Sequence, residues 1–155
     1  MPRVYERVKA VKEFQLASTR EAKRKLSDSS WLFAEIRQPT RIYITVPLTS
    51  SEKREYIPIG VISPEVIASN AMSIIPGASL YNFGVLTNQV HMAWMRAVCG
   101  RLETRYRYLN TVVYNNFPWP SPSDKQREKI EQTTQKILDA RALYPESSLA
   151  IYIMI

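Results

Sequence analysis

Apolar and polar positions recur along this 155-residue chain with a period that changes several times. Val4, Val8, Val11 and Phe14 fall at helical intervals and form a narrow apolar stripe. The run Thr19-Arg20-Glu21-Ala22-Lys23-Arg24-Lys25 reads as a second helix, capped by Ser18 or Thr19. From residue 31 the pattern shifts towards strands. Residues 31–37 and 41–47 read as strands joined by a turn at Gln38-Pro39-Thr40, with Ile42, Ile44 and Val46 on one face and Arg41, Tyr43 and Thr45 on the other. After a polar loop over 50–54, residues 56–62 read as an edge strand, because Pro58 lacks the N–H a ladder needs. A short turn or helix starts at Ser63-Pro64-Glu65. Strands are then expected over 72–75 and 79–86, divided by Pro76-Gly77, with Asn70 and Ala71 at the loop edge before them.

Helical spacing returns at residues 87–100. Thr87 is the expected cap, and Val90, Ala93, Trp94, Ala97 and Val98 share the inner side. That leaves His91, Met95 and Arg96 on the flanks, His91 as a structural or surface side chain, and Cys99 as a buried small residue. Residues 111–114 read as one more strand, and Phe117-Pro-Trp-Pro120 as a stiff exit that neither helix nor ladder can continue. A last helix is expected from Ser123 to about Leu143, opened by a Ser123/Gln126 capping box, with Ile130, Ile137 and Leu138 inward. The predicted class is α+β: an antiparallel, meandering sheet flanked by helices, with a C-terminal helix. Residues 1–120 form the expected domain and residues 121–155 the start of a helical tail.

Glu103, Arg105 and Arg107 stand at a spacing of two. In an extended strand such residues point the same way, about 6.6 Å apart. That distance is close to two base-pair steps of about 3.4 Å. A carboxylate and two guanidiniums arranged as a comb match the edges of stacked bases: arginine donates twice to guanine, and glutamate accepts from cytosine. The same alternation also suits a solvated edge strand with cross-strand ion pairs, so spacing leaves both readings open.

Charge sharpens the picture. The net charge is +7 and the pI about 9.6. The excess is local: residues 1–41 hold ten Lys/Arg against five Asp/Glu, and residues 101–110 hold three against one. Such a distribution favours an anionic partner, nucleic acid first. A hydrophobic fraction of 45% supplies a core. One cysteine excludes an intrachain disulfide and fits a reducing cytoplasm, and one histidine with one cysteine cannot build a zinc finger. No run of 18 apolar residues predicts a membrane span, and the first residues lack the apolar core of a secretory signal. The chain holds no phosphate-cradling glycine loop, no Asn-Pro-Pro-Tyr run for adenine methylation and no Asp…Glu-x-Lys nuclease cluster. Catalysis by these residues alone is not expected, and no cofactor or metal is assigned to them.

Several strings carry a family resemblance. They are Arg20 with Ala22, Phe33-Ala-Glu-Ile-Arg37-Gln-Pro39, Tyr56-Ile-Pro-Ile-Gly60, His91-Met-Ala-Trp-Met-Arg-Ala-Val-Cys-Gly-Arg101 and Tyr114-Asn-Asn-Phe-Pro-Trp-Pro120. Over about residues 8–149 the chain resembles the target recognition region of the MmeI-like, type IIL single-chain restriction–modification enzymes. The resemblance implies double-stranded DNA as partner, together with adenine methyltransferase and nuclease modules elsewhere in a parent protein that uses S-adenosylmethionine and magnesium. It also implies that positions matching Glu103 and Arg105 act on one base pair, suited to C·G, while those matching Ala71 and Arg107 act on another, with Arg107 suited to a purine. Arg20, Lys23, Arg41 and Arg101 are expected at the DNA backbone. At Ile151–Ile155 the sequence departs from the acidic continuation usual in the family, so a truncated or altered tail is expected. Rival expectations are a fragment of a separate specificity subunit, an intact small nuclease or methyltransferase, and a basic protein-interaction domain.

Overall fold

A computed structural model describes residues 2–33 and 36–147. The chain divides into two compact units, residues 1–37 and 38–155. In the first, α1 (Pro2–Leu16) is followed by α2 (Glu21–Lys25) and a 3₁₀ turn (Leu26–Ser29). Neither expected cap residue occupies the N-cap of α2. Arg20 takes that place, and its N–H is received by the Ser18 hydroxyl at 3.2 Å. The α1 stripe is largely solvent-facing, with Val4, Val11 and Phe14 exposed. The strand expected over 31–37 is absent from its described residues: 31–33 form a turn and coil, 36–37 are coil, and Ala34 and Glu35 lie outside the described part.

The second unit contains two three-stranded antiparallel sheets instead of one meander. The first has the order β3 (Gly60–Ile62), β1 (Tyr43–Pro47), β4 (Met72–Pro76). The other has the order β2 (Thr49–Ser50), β6 (Arg105–Arg107), β5 (Gly100–Leu102). β1 is central and buried at all five positions, so its expected two-faced alternation disappears. Tyr43 and Thr45 are as buried as Ile44 and Val46, and Ile42 lies exposed just outside the strand. Of the strand expected over 56–62 only Gly60–Ile62 forms; it lies at the sheet edge, but Pro58 falls outside it, so its missing N–H does not set that edge.

One residue, Leu48, joins the sheets. The chain runs from β1 into β2 through it. Its N–H donates to the Ala71 carbonyl (2.9 Å) beside β4, while its carbonyl receives the Tyr108 N–H (2.9 Å) just past β6. Both backbone groups of a single residue are therefore satisfied by different sheets, as at a corner where a strand changes partners.

Residues 79–86 are helical, not extended. α3 (Leu80–Thr87) opens on a capping box in which Ser79 and Asn82 bond reciprocally. The apparent alternation of Tyr81, Phe83 and Val85 arises because the core surrounds much of the helix, and all three are buried. α4 (Gln89–Val98) is capped by Asn88, whose side chain receives the His91 N–H at 2.9 Å; Thr87 instead bonds back to Phe83. Its fully buried residues are His91, Met92 and Met95; of the expected set Trp94 and Val98 pack against the core, whereas Ala93 and Ala97 are exposed and Val90 is 69% exposed. Cys99 is only half-buried.

Residues 110–114 form a π-helical turn where a strand was expected. Side chains hold its carbonyls: Asn116 donates to Thr111 and Val112, and the Trp94 indole donates to Val113 at 2.9 Å. α5 (Asp124–Ala142) begins at the Ser123/Gln126 box as expected. It lies against α3 at Gly84, and Arg141 donates to the Ile59 carbonyl at 3.0 Å.

Candidate nucleic-acid interface

The comb folds as a hairpin tip. Leu102 pairs with Arg105 and Gly100 with Arg107, leaving a two-residue loop at Glu103 and Thr104. Glu103 has φ +57°, the one positive value on a non-glycine residue among those described. A positive φ at the first loop position alone is the mark of a type II′ turn, where glycine is the usual occupant. Glu103 therefore does not continue the row of Arg105 and Arg107. The turn, not the pleat, aims its carboxylate.

Arg105 and Arg107 do share a face. Both are exposed and Tyr106 between them is buried, as period-two alternation requires. Directly opposed residues of antiparallel strands also share a face. Leu102 therefore stands beside Arg105, and Gly100 and Thr49 flank Arg107. The two guanidinium stems leave the backbone about 6.6 Å apart. Among the described residues neither is paired to a carboxylate: the ion pairs formed, Lys9–Glu13 and Lys25–Glu21, both belong to the first unit. An internal salt-bridge ladder is thus not what these arginines serve.

Arg101 faces the other way. It sits opposite Tyr106, with its guanidinium 4.3 Å from the Tyr106 ring centre, and it donates to the Thr104 carbonyl at 3.1 Å. That arrangement braces the tip from behind. Ala71 is exposed in the turn before β4, and its N–H is received by Ser69 at 3.2 Å. Through Leu48 its carbonyl is one residue from Thr49, the partner of Arg107. Ala71 and Arg107 are thereby tied to adjacent positions of one strand, while Glu103 and Arg105 occupy the tip beyond.

Arg41 is exposed ahead of β1. Arg20 and Lys23 belong to the first unit, where Lys23 caps the Phe14 ring at 3.8 Å. Leu48 and the pair His91–Tyr108 behind the hairpin were not legible from spacing, since ordinary core residues carry no periodic signature of being a joint. Among the described residues no group of three His, Cys, Asp or Glu side chains is placed to hold a metal ion, and no helix is long and apolar enough to cross a membrane.

The strained turn yields a first prediction. Glu103→Gly is expected to leave stability unchanged or raise it by up to about 1 kcal/mol, because glycine adopts positive φ without a Cβ clash. The same change should abolish whatever discrimination the carboxylate supplies. Urea unfolding and duplex binding on the same preparation separate the two effects. A clear loss of stability would mean that Glu103 is held by contacts within the fold.

The family model for the MmeI target recognition domain matches residues 1–121. DNA methyltransferase A of Bacillus subtilis (strain 168) is 39% identical over 140 residues, which cover 90% of this chain and 16% of that protein. A solved structure of the type IIL restriction–modification enzyme MmeI in complex with DNA is 46% identical and superposes with a TM-score of 0.82, covering 95% of this chain and 20% of that one. The chain thus spans about a sixth of the one relative and a fifth of the other. With a matched model over most of its length and the same fold as such a relative, the chain belongs to the MmeI target recognition domain family.

Proposed function

We propose that this chain reads the sequence of double-stranded DNA on behalf of a restriction–modification enzyme, and that the outward face of β2, β6 and β5 meets the bases. What carries the reading is the pair of arginines projecting in parallel from β6, exposed and without carboxylate partners, over a buried tyrosine. In this reading Arg105 with Glu103 addresses one base pair, suited to C·G, and Arg107 with Ala71 addresses a second. Arginine pairs bidentately with guanine O6 and N7, and glutamate accepts from cytosine N4. The small side chain of Ala71 leaves room for the longer arginine.

Arg41, and Arg20 and Lys23 of the first unit, serve phosphates. Arg101 combines a phosphate contact with its grip on the turn. Methyl transfer and cleavage, with S-adenosylmethionine and magnesium, belong to modules of a longer cytoplasmic protein, and the chain itself performs no chemistry.

The test is a binding-site selection from random duplexes by a restriction–modification enzyme carrying this domain, with affinity measured at several salt concentrations. Arg105→Ala and Arg107→Ala should each relax preference at its own base pair by about 1–3 kcal/mol. Arg41→Ala should leave preference unchanged and reduce the salt slope by about one. For the isolated 155 residues, without the phosphate contacts of neighbouring modules, sequence preference should be weak or undetectable. Should all three variants weaken every duplex alike, the hairpin is a non-specific basic surface. Binding that is insensitive to salt would point to a partner other than nucleic acid.

A further inference from the structure

Behind the hairpin stands the single histidine of the chain. His91 is fully buried on α4, and its Nε2 lies 3.1 Å from the hydroxyl of Tyr108, itself 2% exposed. Its Nδ1 has no hydrogen-bond partner, and the Phe117 ring meets the imidazole edge-on at 4.6 Å between centres. A buried polar atom without a partner is costly, and a leucine would fill such a site without that penalty. Tyr108 follows Arg107 directly, and its N–H donates to the Leu48 carbonyl. Leu48 in turn holds Ala71. A continuous set of hydrogen bonds therefore runs from α4 to both halves of the Ala71–Arg107 pair.

We propose that His91 is a positioning residue for base reading: its bond to Tyr108 fixes where β6 and the Ala71 turn stand relative to α4. The proposal rests on the hairpin being the reading surface, but its mechanical part does not. The titratable groups on the side facing His91 are Tyr108 and, beyond it, Tyr114, and burial holds both phenols above their usual range. Burial alone, with no charge of either sign contributing, lowers the His91 pKa to about 4. A protonated ring has two N–H donors and one acceptor, the Tyr108 hydroxyl. Acid therefore favours a state in which β6 has lifted from α4.

The sign follows from linkage. A group whose folded pKa is depressed contributes stability above its unfolded value of 6.5, and that stability is lost as pH falls towards 4. Amide hydrogen exchange on the 155-residue chain, corrected for intrinsic rates, reads it directly. Protection at the Leu48 and Tyr108 N–H groups should fall about twenty-fold between pH 7 and pH 5, and fall further than protection in α3 and α5. His91→Gln should flatten that profile. Tyr108→Phe at pH 7 should release the same amides by about ten-fold more than it releases α3 and α5, whereas Leu86→Val, a core control on α3, should release all of them alike.

Uniform loss of protection in Tyr108→Phe, or a flat wild-type profile, would overturn the positioning role. For base reading, Tyr108→Phe should relax preference at the base pair assigned to Arg107 and leave the salt slope unchanged. Intact preference despite a released hairpin would overturn the link to reading. If a restriction–modification enzyme carrying the unaltered domain prefers no sequence, the proposed function fails while the exchange result still stands.

Discussion

Gly84→Ala is expected to destabilise the second unit by about 1–3 kcal/mol, the range for forcing extra volume into a packed interior. A Cβ built on Gly84 would stand 2.1 Å from the Thr134 hydroxyl of α5 and 3.1 Å from a methyl carbon of Ile130. Thr134 cannot yield cheaply. It is 2% exposed, and its hydroxyl donates to the Ile130 carbonyl at 2.7 Å. The sign is diagnostic, because glycine to alanine inside a helix ordinarily stabilises by about 0.5–1 kcal/mol. Combining it with Thr134→Ala removes the nearest obstacle. A double-mutant cycle in urea should then recover more than half of the loss, the Ile130 contact accounting for the remainder. If Gly84→Ala unfolds at the wild-type midpoint, α3 and α5 are not in this close approach.

Exchanging the charges at the hairpin tip should rewrite one base pair. Glu103→Lys together with Arg105→Asp inverts the donor and acceptor pattern presented to a C·G pair, so the preferred orientation of that pair should reverse. Each bidentate contact is worth about 1–3 kcal/mol of discrimination. The swing between competing duplexes should therefore reach roughly ten-fold to a hundred-fold. Both side chains are exposed, and neither forms an ion pair among the described residues, so the fold should tolerate the exchange. The measurement is competition between duplexes that differ at one base pair, made in a restriction–modification enzyme carrying this domain. Specificity that survives the double change would remove the tip from the reading surface.

The start of α5 was legible in the sequence, whereas the caps of α2 and α4 were not. Ser123 with Gln126 announced α5 because a cap is local chemistry, complete within four residues. Ser79 with Asn82 is the same kind of device, yet alternating apolar residues after it suggested a strand. Burial on several sides of a short helix mimics period two. The inner face of α4 was legible at Trp94 and Val98 and misjudged elsewhere for a related reason. Histidine and methionine were ranked below valine and alanine, whereas the core takes His91, Met92 and Met95 and leaves Val90 in water. Propensity cannot foresee such a choice, because it depends on what faces the helix.

On the hairpin, the parallel aim of Arg105 and Arg107 was legible from a spacing of two, and the turn at Glu103 was not. Nothing in Arg-Leu-Glu-Thr-Arg advertises a tight reversal, since glycine, the usual signal for positive φ, is missing. Leu48 was equally hidden. Its importance lies in its two backbone bonds, which any residue could make.

The exposed–buried–exposed order of Arg105, Tyr106 and Arg107 has an evolutionary consequence. Tyr106 anchors the strand, and the two neighbours contribute nothing to the interior, so mutations at 105 and 107 can accumulate without eroding the scaffold. Under the proposed function, a lineage can then explore new target words by drift at the surface, each trial leaving a folded protein behind. On that proposal, diversification of recognition is uncoupled from the risk of collapse.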